Sequence, residues 1–381
     1  MIEPDTLLAD IEALVSCESP SEDHEAVARS AEVVAAIGRR LLGAEPEFLR
    51  TDGCTHLRWG FGTGPARVLL LGHHDTVWPL GSLGTHPFSV RDGVLRGPGC
   101  FDMKAGVVMA LHAAAALEDR EGLTILVTGD EEIGSPRSRP LIEDAARGCA
   151  AVFVLEASAD GGALKCRRKG VSQYRIEITG RAAHAGLEPE KGVNAGVEIA
   201  HQILAVSGLA DAERGTTVVP TALSAGTTTN TVPAAASVAV DVRAWDAAEQ
   251  QRVDRAVRSL APVLDGSRVH IAGGINRPPL EAAASAGLFE LAGRLAADLG
   301  LGPLAEASVG GASDGNFTAG LGIPTLDGLG AVGGGAHADH EHVLVAELPH
   351  RTALLTALTE TVLTETVPGN GFSVRADETA G

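Results

Sequence analysis

Three short apolar segments constrain the fold of this chain more than any other feature. Residues 68–71, 123–127 and 152–155 are apolar at consecutive positions rather than at alternate ones. Such runs are typical of strands that are buried on both faces, because neither face then tolerates polar side chains. The Ala- and Met-rich segment 105–117 lies between two of these runs and is predicted to be a covering helix. The sequence therefore predicts an α/β fold with a helix-covered sheet.

A different pattern begins near residue 170. Apolar and polar residues alternate over 174–178 and again over 238–242, which predicts strands of a sheet with one wet face. Helical stretches at about 191–206 and 247–262 separate these strands, and the chain becomes helical again over 282–299. We therefore predict one domain formed by residues 1–169 and 276–381. A smaller α+β domain, residues 170–275, is inserted into it.

Composition argues against several classes of function. The 381 residues carry a formal net charge of −19, which argues against nucleic acid as a partner because binding phosphates requires a basic face. No window reaches roughly 18 uninterrupted apolar residues, so no membrane span is expected. The N-terminal residues show no signal-peptide pattern. Five cysteines without C-x-x-C spacing predict free thiols and a cytoplasmic location.

Imidazole and carboxylate side chains follow each of the three apolar runs. His73 and Asp75 come after the first run, Glu131 and Glu132 after the second, and Glu156 after the third. Side chains alternate along an extended chain, so His73 and Asp75 point the same way, and one can orient the other as a metal ligand. Glu131 and Glu132 point in different directions. One of them can therefore bind metal while the other reaches an attacking water.

Asp102 and His337 lie in two Gly-rich turns elsewhere in the chain. Taken alone, Asp102 could be a helix N-cap and His337 could belong to a solvated loop, with His340 and His342 as rival ligands. Together with the strand-end residues they supply nitrogen and oxygen ligands for a pair of zinc-class ions, including a carboxylate that could bridge them. The sequence therefore predicts a two-metal hydrolytic site.

These motifs resemble the dizinc aminoacylase/carboxypeptidase family of metallopeptidases, and in particular its glutamate carboxypeptidase branch. The resemblance runs from roughly residue 5 to residue 365. The motifs that carry it are G-H-H-D-T-V (72–77), G-P-G-C-F-D-M-K (97–104), D-E-E-I-G-S (130–135), G-R-A-A-H-A-G (180–186), N-T-V-P-A (230–234), D-V-R (241–243), G-G-A-S-D-G-N-F (310–317) and G-A-H-A-D-H-E (335–341). The resemblance implies a catalytic domain of the zinc-exopeptidase type with a mixed sheet. It also implies that residues 170–275 form a lid and dimerisation domain.

The resemblance implies a metal-binding role for five residues. His73 and Glu156 would bind one zinc ion, Glu132 and His337 would bind the second, and Asp102 would bridge the two. Cobalt or manganese could replace zinc, because such sites accept several metals.

The resemblance also implies catalytic and substrate-binding roles. Asp75 would orient His73, and Glu131 would be the general base on water held between the metal ions. His184, often from the partner chain of a homodimer, would polarise the scissile carbonyl. Asn230 and Arg243 would hold the C-terminal carboxylate of the substrate, a task that suits the planar fork of arginine.

Three functions agree with these residues. The first is a metallopeptidase or amidohydrolase that releases a C-terminal, glutamate-like amino acid from an N-acyl amino acid or a short peptide. The second is an N-acyl-amino-acid deacylase of the acetylornithine or succinyl-diaminopimelate type, which would use the same ligands. The third is a non-catalytic dimeric binding protein, and the intact set of ligands and base argues against it.

Overall fold

The computed structural model describes residues 4–364. The helices in this range are α1 (Pro4–Val15), α2 (His24–Leu42), α3 (Ala105–Ala115), α4 (Arg139–Ala146), α5 (Ala195–Ser207), α6 (Ala247–Arg258), α7 (Ala282–Asp298), α8 (Gly315–Gly320) and α9 (Glu347–Thr364). The strands are β1 (Glu47–Thr51), β2 (Cys54–Gly60), β3 (Val68–His73), β4 (Ser89–Arg91), β5 (Val94–Arg96), β6 (Leu123–Thr128), β7 (Ala151–Val154), β8 (Leu164–Arg168), β9 (Gly170–Thr179), β10 (Thr217–Ala225), β11 (Ala235–Ala244), β12 (Arg268–Arg277), β13 (Glu306–Val309), β14 (Thr325–Leu326), β15 (Gly333–Gly334) and β16 (His342–Leu344). None of these helices combines the length and apolarity needed to cross a bilayer.

The main sheet has six strands in the order β1-β2-β6-β3-β7-β14. Strands β6, β3, β7 and β14 run parallel to one another, whereas β1 and β2 pair antiparallel. Every residue of β3, β6 and β7 is buried, as the three apolar runs predicted. The predicted α/β fold with a helix-covered mixed sheet is confirmed.

The helices that cover this sheet follow from local sequence signals. Helix α3 is buried at nearly every position, which agrees with its Ala- and Met-rich composition. Helix α2 begins after Asp23, whose side chain accepts hydrogen bonds from the N–H groups of Glu25 and Ala26. It ends at Gly43, which adopts a left-handed conformation with φ of 65°. Both helices pack against the core of the main sheet and support its strand ends.

A second sheet of four antiparallel strands has the order β10-β11-β9-β12. Buried and exposed residues alternate along β9 and β11, because one face packs on a separate apolar cluster that includes residues of α5 and α6. The alternation at 174–178 and 238–242 identified two of these strands. Strands β10 and β12 carry a weaker pattern, and sequence reasoning missed them.

The parallel strands of the main sheet end at one edge. His73 closes β3, and Glu131 and Glu156 follow β6 and β7 after two or three residues. The carboxyl ends of neighbouring parallel strands form a common crevice, so these side chains meet. Close backbone packing supports this edge. A Cβ atom on Gly106 or Gly330 would lie 2.1 Å from the carbonyl oxygen of Leu155.

Candidate metal centre

The carboxylate of Asp102 faces two imidazoles from distant parts of the chain. Its Oδ1 lies 3.5 Å from Nε2 of His73, and its Oδ2 lies 3.3 Å from Nε2 of His337. Glu156 Oε1 lies 3.7 Å from the first imidazole nitrogen, and Glu132 Oε2 lies 3.1 Å from the second. Two groups of side chains therefore meet at one carboxylate, and they are the groups that the family resemblance implied as ligands of two metal ions.

Unpartnered buried atoms at this centre fit bound cations. His73 Nε2, Asp102 Oδ1 and Glu132 Oε1 are buried without a hydrogen-bond partner in the described structure. Leaving such atoms unpaired is costly unless a ligand or metal ion satisfies them. Ligand atoms of His73, Asp102 and Glu132 also lie within 4.8 Å of one another. Imidazole nitrogens and carboxylate oxygens are suitable donors for zinc.

The charges of the centre also favour a cation. Burial alone would lower the pKa of His73, but Asp102, Asp75 and Glu156 outweigh it and hold this pKa well above 6.5. The carboxylates of Asp102 and Glu132 raise the pKa of His337 to about 10. Burial raises the pKa of Glu132 to about 7. Without a metal ion, protons on these side chains balance the negative charge of the carboxylates. A divalent cation can take the place of those protons.

We expect metal binding to release protons and to weaken as the pH falls. His337, with a pKa near 10, and Glu132, with a pKa near 7, must both lose their protons before they can ligate. Affinity should therefore rise with pH through neutrality, by about tenfold per pH unit for each proton released. Chelator competition at pH 6, 7 and 8 measures this slope. His337→Ala should reduce the number of protons released, and a pH-independent affinity would contradict the assignment.

Asp75 contacts three residues of the candidate centre. Its Oδ1 is 3.4 Å from Nδ1 of His73, and the N–H groups of Glu131 and Glu132 donate to its two oxygens at 3.2 Å. Ser21 Oγ donates to Oδ2 at 2.6 Å. The His73 ring nitrogen also lies 3.0 Å from the backbone oxygen of Asp75. These contacts suit the orienting role predicted for Asp75, and they join it to the predicted base.

Glu131 is buried beside a cation that sequence reasoning missed. Nη2 of Arg277 lies 2.9 Å from Glu131 Oε1 and 3.0 Å from Asp314 Oδ1. Burial raises the pKa of Glu131 well above 4.5, even though Arg277 opposes this shift. Arg277 closes β12 and precedes two prolines. The only signal in the sequence was a basic residue directly before two prolines.

A second buried ion pair lies next to Glu156. Arg168 donates from Nε and Nη2 to both oxygens of Asp327, at 2.7 and 2.9 Å, and its Nη2 lies 3.6 Å from Glu156 Oε2. Lys165, on the same strand β8, contributes to lowering the pKa of both Glu156 and Asp102. Arg168, paired with Asp327, and Lys165 therefore place basic side chains beside Glu156 and Asp102.

The three remaining predicted site residues lie between residues 170 and 275. Arg243 is on β11, whereas His184 follows β9 and Asn230 lies in the loop between β10 and β11. His184 forms a bridge with Thr231, and Ala185 N–H donates to the backbone oxygen of Asn230 at 2.9 Å. His184 and Asn230 therefore adjoin each other. Nδ1 of His184 accepts hydrogen bonds from the N–H groups of Gly186 and Leu187.

Arg243 lies at the other end of the second sheet. It is eight residues beyond Ala235 along β11, or about 26 Å at the rise of an extended strand. It donates to Asp241 from Nε and Nη2 at 2.8 and 3.0 Å. Arg243 and Arg277 are both paired with Val171, from the strands on either side of it. One chain therefore does not bring Asn230 and Arg243 to the same carboxylate, and their joint role stays a prediction.

Comparison with known proteins places this chain among the metallopeptidases and amidohydrolases. The chain belongs to peptidase family M20/M25/M40, whose family model matches residues 69–361. This confirms the predicted family and the prediction that the protein is an enzyme.

Relatives of two kinds are similar to this chain. Carboxypeptidase G2 from Pseudomonas sp. (strain RS-16) is 32% identical over 303 residues, which are 76% of this chain and 72% of that protein. A succinyl-diaminopimelate desuccinylase from Xanthomonas euvesicatoria pv. vesicatoria (strain 85-10) is 31% identical over 371 residues, 87% of this chain and 93% of that protein. The solved structure of an M20 family metallo-carboxypeptidase, Sso-CP2 from Sulfolobus solfataricus, matches with a TM-score of 0.75. It covers 93% of this chain and 99% of that one at 16% identity, a likeness of fold alone.

Proposed function

We propose that this protein hydrolyses the amide bond that precedes a C-terminal, glutamate-like amino acid. The observation that carries this proposal is the Asp102 carboxylate, which presents one oxygen to each of two imidazoles beside the buried Glu131. Two zinc ions, or cobalt or manganese, would be held by His73, Asp102, Glu132, Glu156 and His337. Bound there, the metal would acidify a water molecule and polarise the scissile carbonyl.

The remaining steps belong to side chains of this protein. Glu131 takes the proton of the attacking water and returns it to the leaving nitrogen. Arg277 and Asp75 hold this base in place through its side chain and its backbone N–H. His184 would stabilise the developing oxyanion from the inserted domain, residues 170–275, when that domain closes over the cleft.

Two basic side chains, Lys165 and Arg243, support an anionic substrate despite the net charge of −19. Within residues 4–364, no hydrogen bond or ion pair engages the Lys165 ammonium, although Lys165 is only partly exposed and acts electrostatically on Asp102 and Glu156. Arg243 adds a guanidinium whose Asp241 partner is itself partly exposed. Substrate carboxylates could compete for both groups.

A substrate panel tests the proposed function. Metal-loaded protein should hydrolyse N-acyl-, peptidyl- and N-aroyl-glutamates faster than the corresponding amidated compounds. The succinyl-diaminopimelate desuccinylase relatives favour a second candidate, deacylation of N-acyl diamino acids. Faster turnover of N-succinyl diamino acids would select that candidate, and absence of hydrolysis across the whole panel would contradict both.

We expect Arg243→Ala to lower kcat/KM for free-acid substrates by roughly 10- to 100-fold, because charge-assisted hydrogen bonds to a carboxylate are lost. Amidated substrates should be unaffected. Arg175→Ala is a matched control, since Arg175 lies on neighbouring strand β9 and pairs with Glu177 two residues along. An equal effect of Arg243→Ala on free-acid and amidated substrates would remove Arg243 from carboxylate binding.

We further propose that the protein is a homodimer joined through the inserted domain. Strand β10 is an edge strand of the second sheet and is largely exposed. Leu204 on α5 is 73% exposed and Leu223 on β10 is 58% exposed, although isolated apolar side chains at a surface are common. Light scattering should give twice the chain mass of 38.9 kDa.

The five free thiols support a cytoplasmic location.

A further inference from the structure

Glu341 is a buried carboxylate that the proposed mechanism does not use. It lies four residues after His337 and is 3% exposed. Four N–H groups donate to it, namely those of Phe101 and Asp102 to Oε1 at 2.9 and 3.1 Å, and those of Gly99 and the Trp78 indole to Oε2 at 3.0 and 2.6 Å. Both of its oxygens are fully engaged by donors.

Three of these donors belong to the turn that carries Asp102. This turn is irregular, since Asp102 and Met103 have non-helical backbone angles and Gly99 has φ of 68°. The N–H groups of such a turn find no partner in a helix or a strand ladder, and buried N–H groups need one. The Glu341 carboxylate provides this partner at three positions, including the N–H of Asp102 itself.

The same loop carries both Glu341 and His337. His337 lies 3.3 Å from the side-chain Oδ2 of Asp102, while Glu341 accepts a hydrogen bond from the backbone N–H of Asp102 at 3.1 Å. The position of the loop is therefore tied to the turn through two independent contacts. A change at Glu341 would alter the separation of Asp102 from His337 without removing any ligand.

We propose that Glu341 is a positioning residue of the metal centre, which fixes the turn of Asp102 so that its carboxylate faces both imidazoles. This inference rests on the two-metal function proposed above. It predicts that replacing Glu341 changes the metal affinity, and not only the stability of the fold. Partners that hold a metal ligand in place typically change metal affinity by roughly 10- to 100-fold when they are replaced.

Glu341→Gln tests this role because it keeps the size of the side chain. An amide has one oxygen to accept hydrogen bonds, and its NH₂ group would oppose the N–H donors that now face the second oxygen. Chelator competition should show metal affinity reduced roughly 10- to 100-fold, with kcat falling and recovering as zinc is added in excess. Hydrogen exchange of the metal-free variant should be faster at Gly99, Phe101 and Asp102.

Two controls separate this role from a general loss of charge or stability. Asp339→Asn removes a carboxylate from the same loop, where the side chain is 91% exposed and pairs with His86 at 3.5 Å. It should bind metal like the wild type. Glu341→Asp retains the charge on a shorter side chain. Its metal affinity should lie between those of the wild type and Glu341→Gln, and this variant still tests the role if Glu341→Gln does not fold.

The outcomes distinguish this inference from the proposed function. Wild-type protein that binds no metal pair would overturn the proposed function itself. Wild-type binding of the pair, with unchanged affinity in the Glu341 variants and only a lower melting temperature, would overturn the positioning role alone. Reduced affinity in the Glu341 variants, with normal affinity in Asp339→Asn, supports it.

Discussion

Glu131→Gln should abolish hydrolysis while metal content stays near that of the wild type, about two ions per chain for a two-metal site. Glu131 is buried and contacts Arg277 through Oε1, and within residues 4–364 it forms no ion pair with His73 or His337, although one of its oxygens lies within 4.8 Å of a His73 ring nitrogen. An amide of the same shape cannot accept the proton of the attacking water. General bases contribute roughly 10²- to 10⁴-fold, and the loss of kcat should lie in this range.

Glu132→Gln is the matched comparison for this experiment. Glu132 is the neighbouring residue, and its Oε2 lies 3.1 Å from His337 Nε2. Its replacement should reduce metal content as well as activity, because a ligand is weakened. Metal analysis of both variants beside turnover measurements separates the two roles. Near-normal turnover of Glu131→Gln, or a loss of metal equal to that of Glu132→Gln, would show that Glu131 is not the base.

Asp327→Ala should destabilise the protein by about 3–5 kcal/mol, because it leaves the buried Arg168 guanidinium without its bidentate partner. Arg168 and Asp327 are 3% and 0% exposed and lie 2.7 Å apart at their closest atoms. Nη2 of Arg168 is also 3.6 Å from Glu156, so the freed cation would disturb a metal ligand as well. Urea denaturation of the metal-free protein measures the change in the free energy of unfolding.

A surface pair supplies the control for this stability prediction. Arg58 donates to Glu47 from two nitrogens at 3.0 and 2.6 Å, and the Glu47 side chain is 54% exposed. Glu47→Ala should cost less than about 1 kcal/mol, because water screens the pair and solvates the remaining charge. The double change Arg168→Met with Asp327→Leu should recover much of the lost stability. A small effect of Asp327→Ala, equal to that of Glu47→Ala, would show that the buried pair is not needed for stability.

Local patterns were sufficient for the three central strands of the main sheet. Strands β3, β6 and β7 are buried on both faces, so apolar side chains occupy most of their consecutive positions, with Thr124 and Thr128 as exceptions in β6. The proximity of the candidate ligands at the strand ends was predictable for a related reason, since the parallel strands bring their carboxyl ends to one edge. Two Gly-rich turns added Asp102 and His337 as candidates, and the motifs of the family then favoured them as ligands.

Contacts between distant segments were not predictable from the sequence. Arg277 meets Glu131 across 146 residues, and Glu341 meets the turn of Asp102 across 239. Each of these residues, read alone, is an ordinary charged residue in a polar stretch. The edge strand β10 was missed for a similar reason, because it is largely exposed and packing on a buried face does not dictate its residues.

The sequence by itself determined that β3, β6 and β7 are buried and that imidazole and carboxylate side chains follow them, because burial and the two-residue strand period act locally. Tertiary structure alone decided that one carboxylate would lie between two imidazoles 264 positions apart in numbering, at 73 and 337. It also decided which cations would neighbour the base. Coulomb forces and hydrogen bonds act through space, and only the packed chain sets those distances.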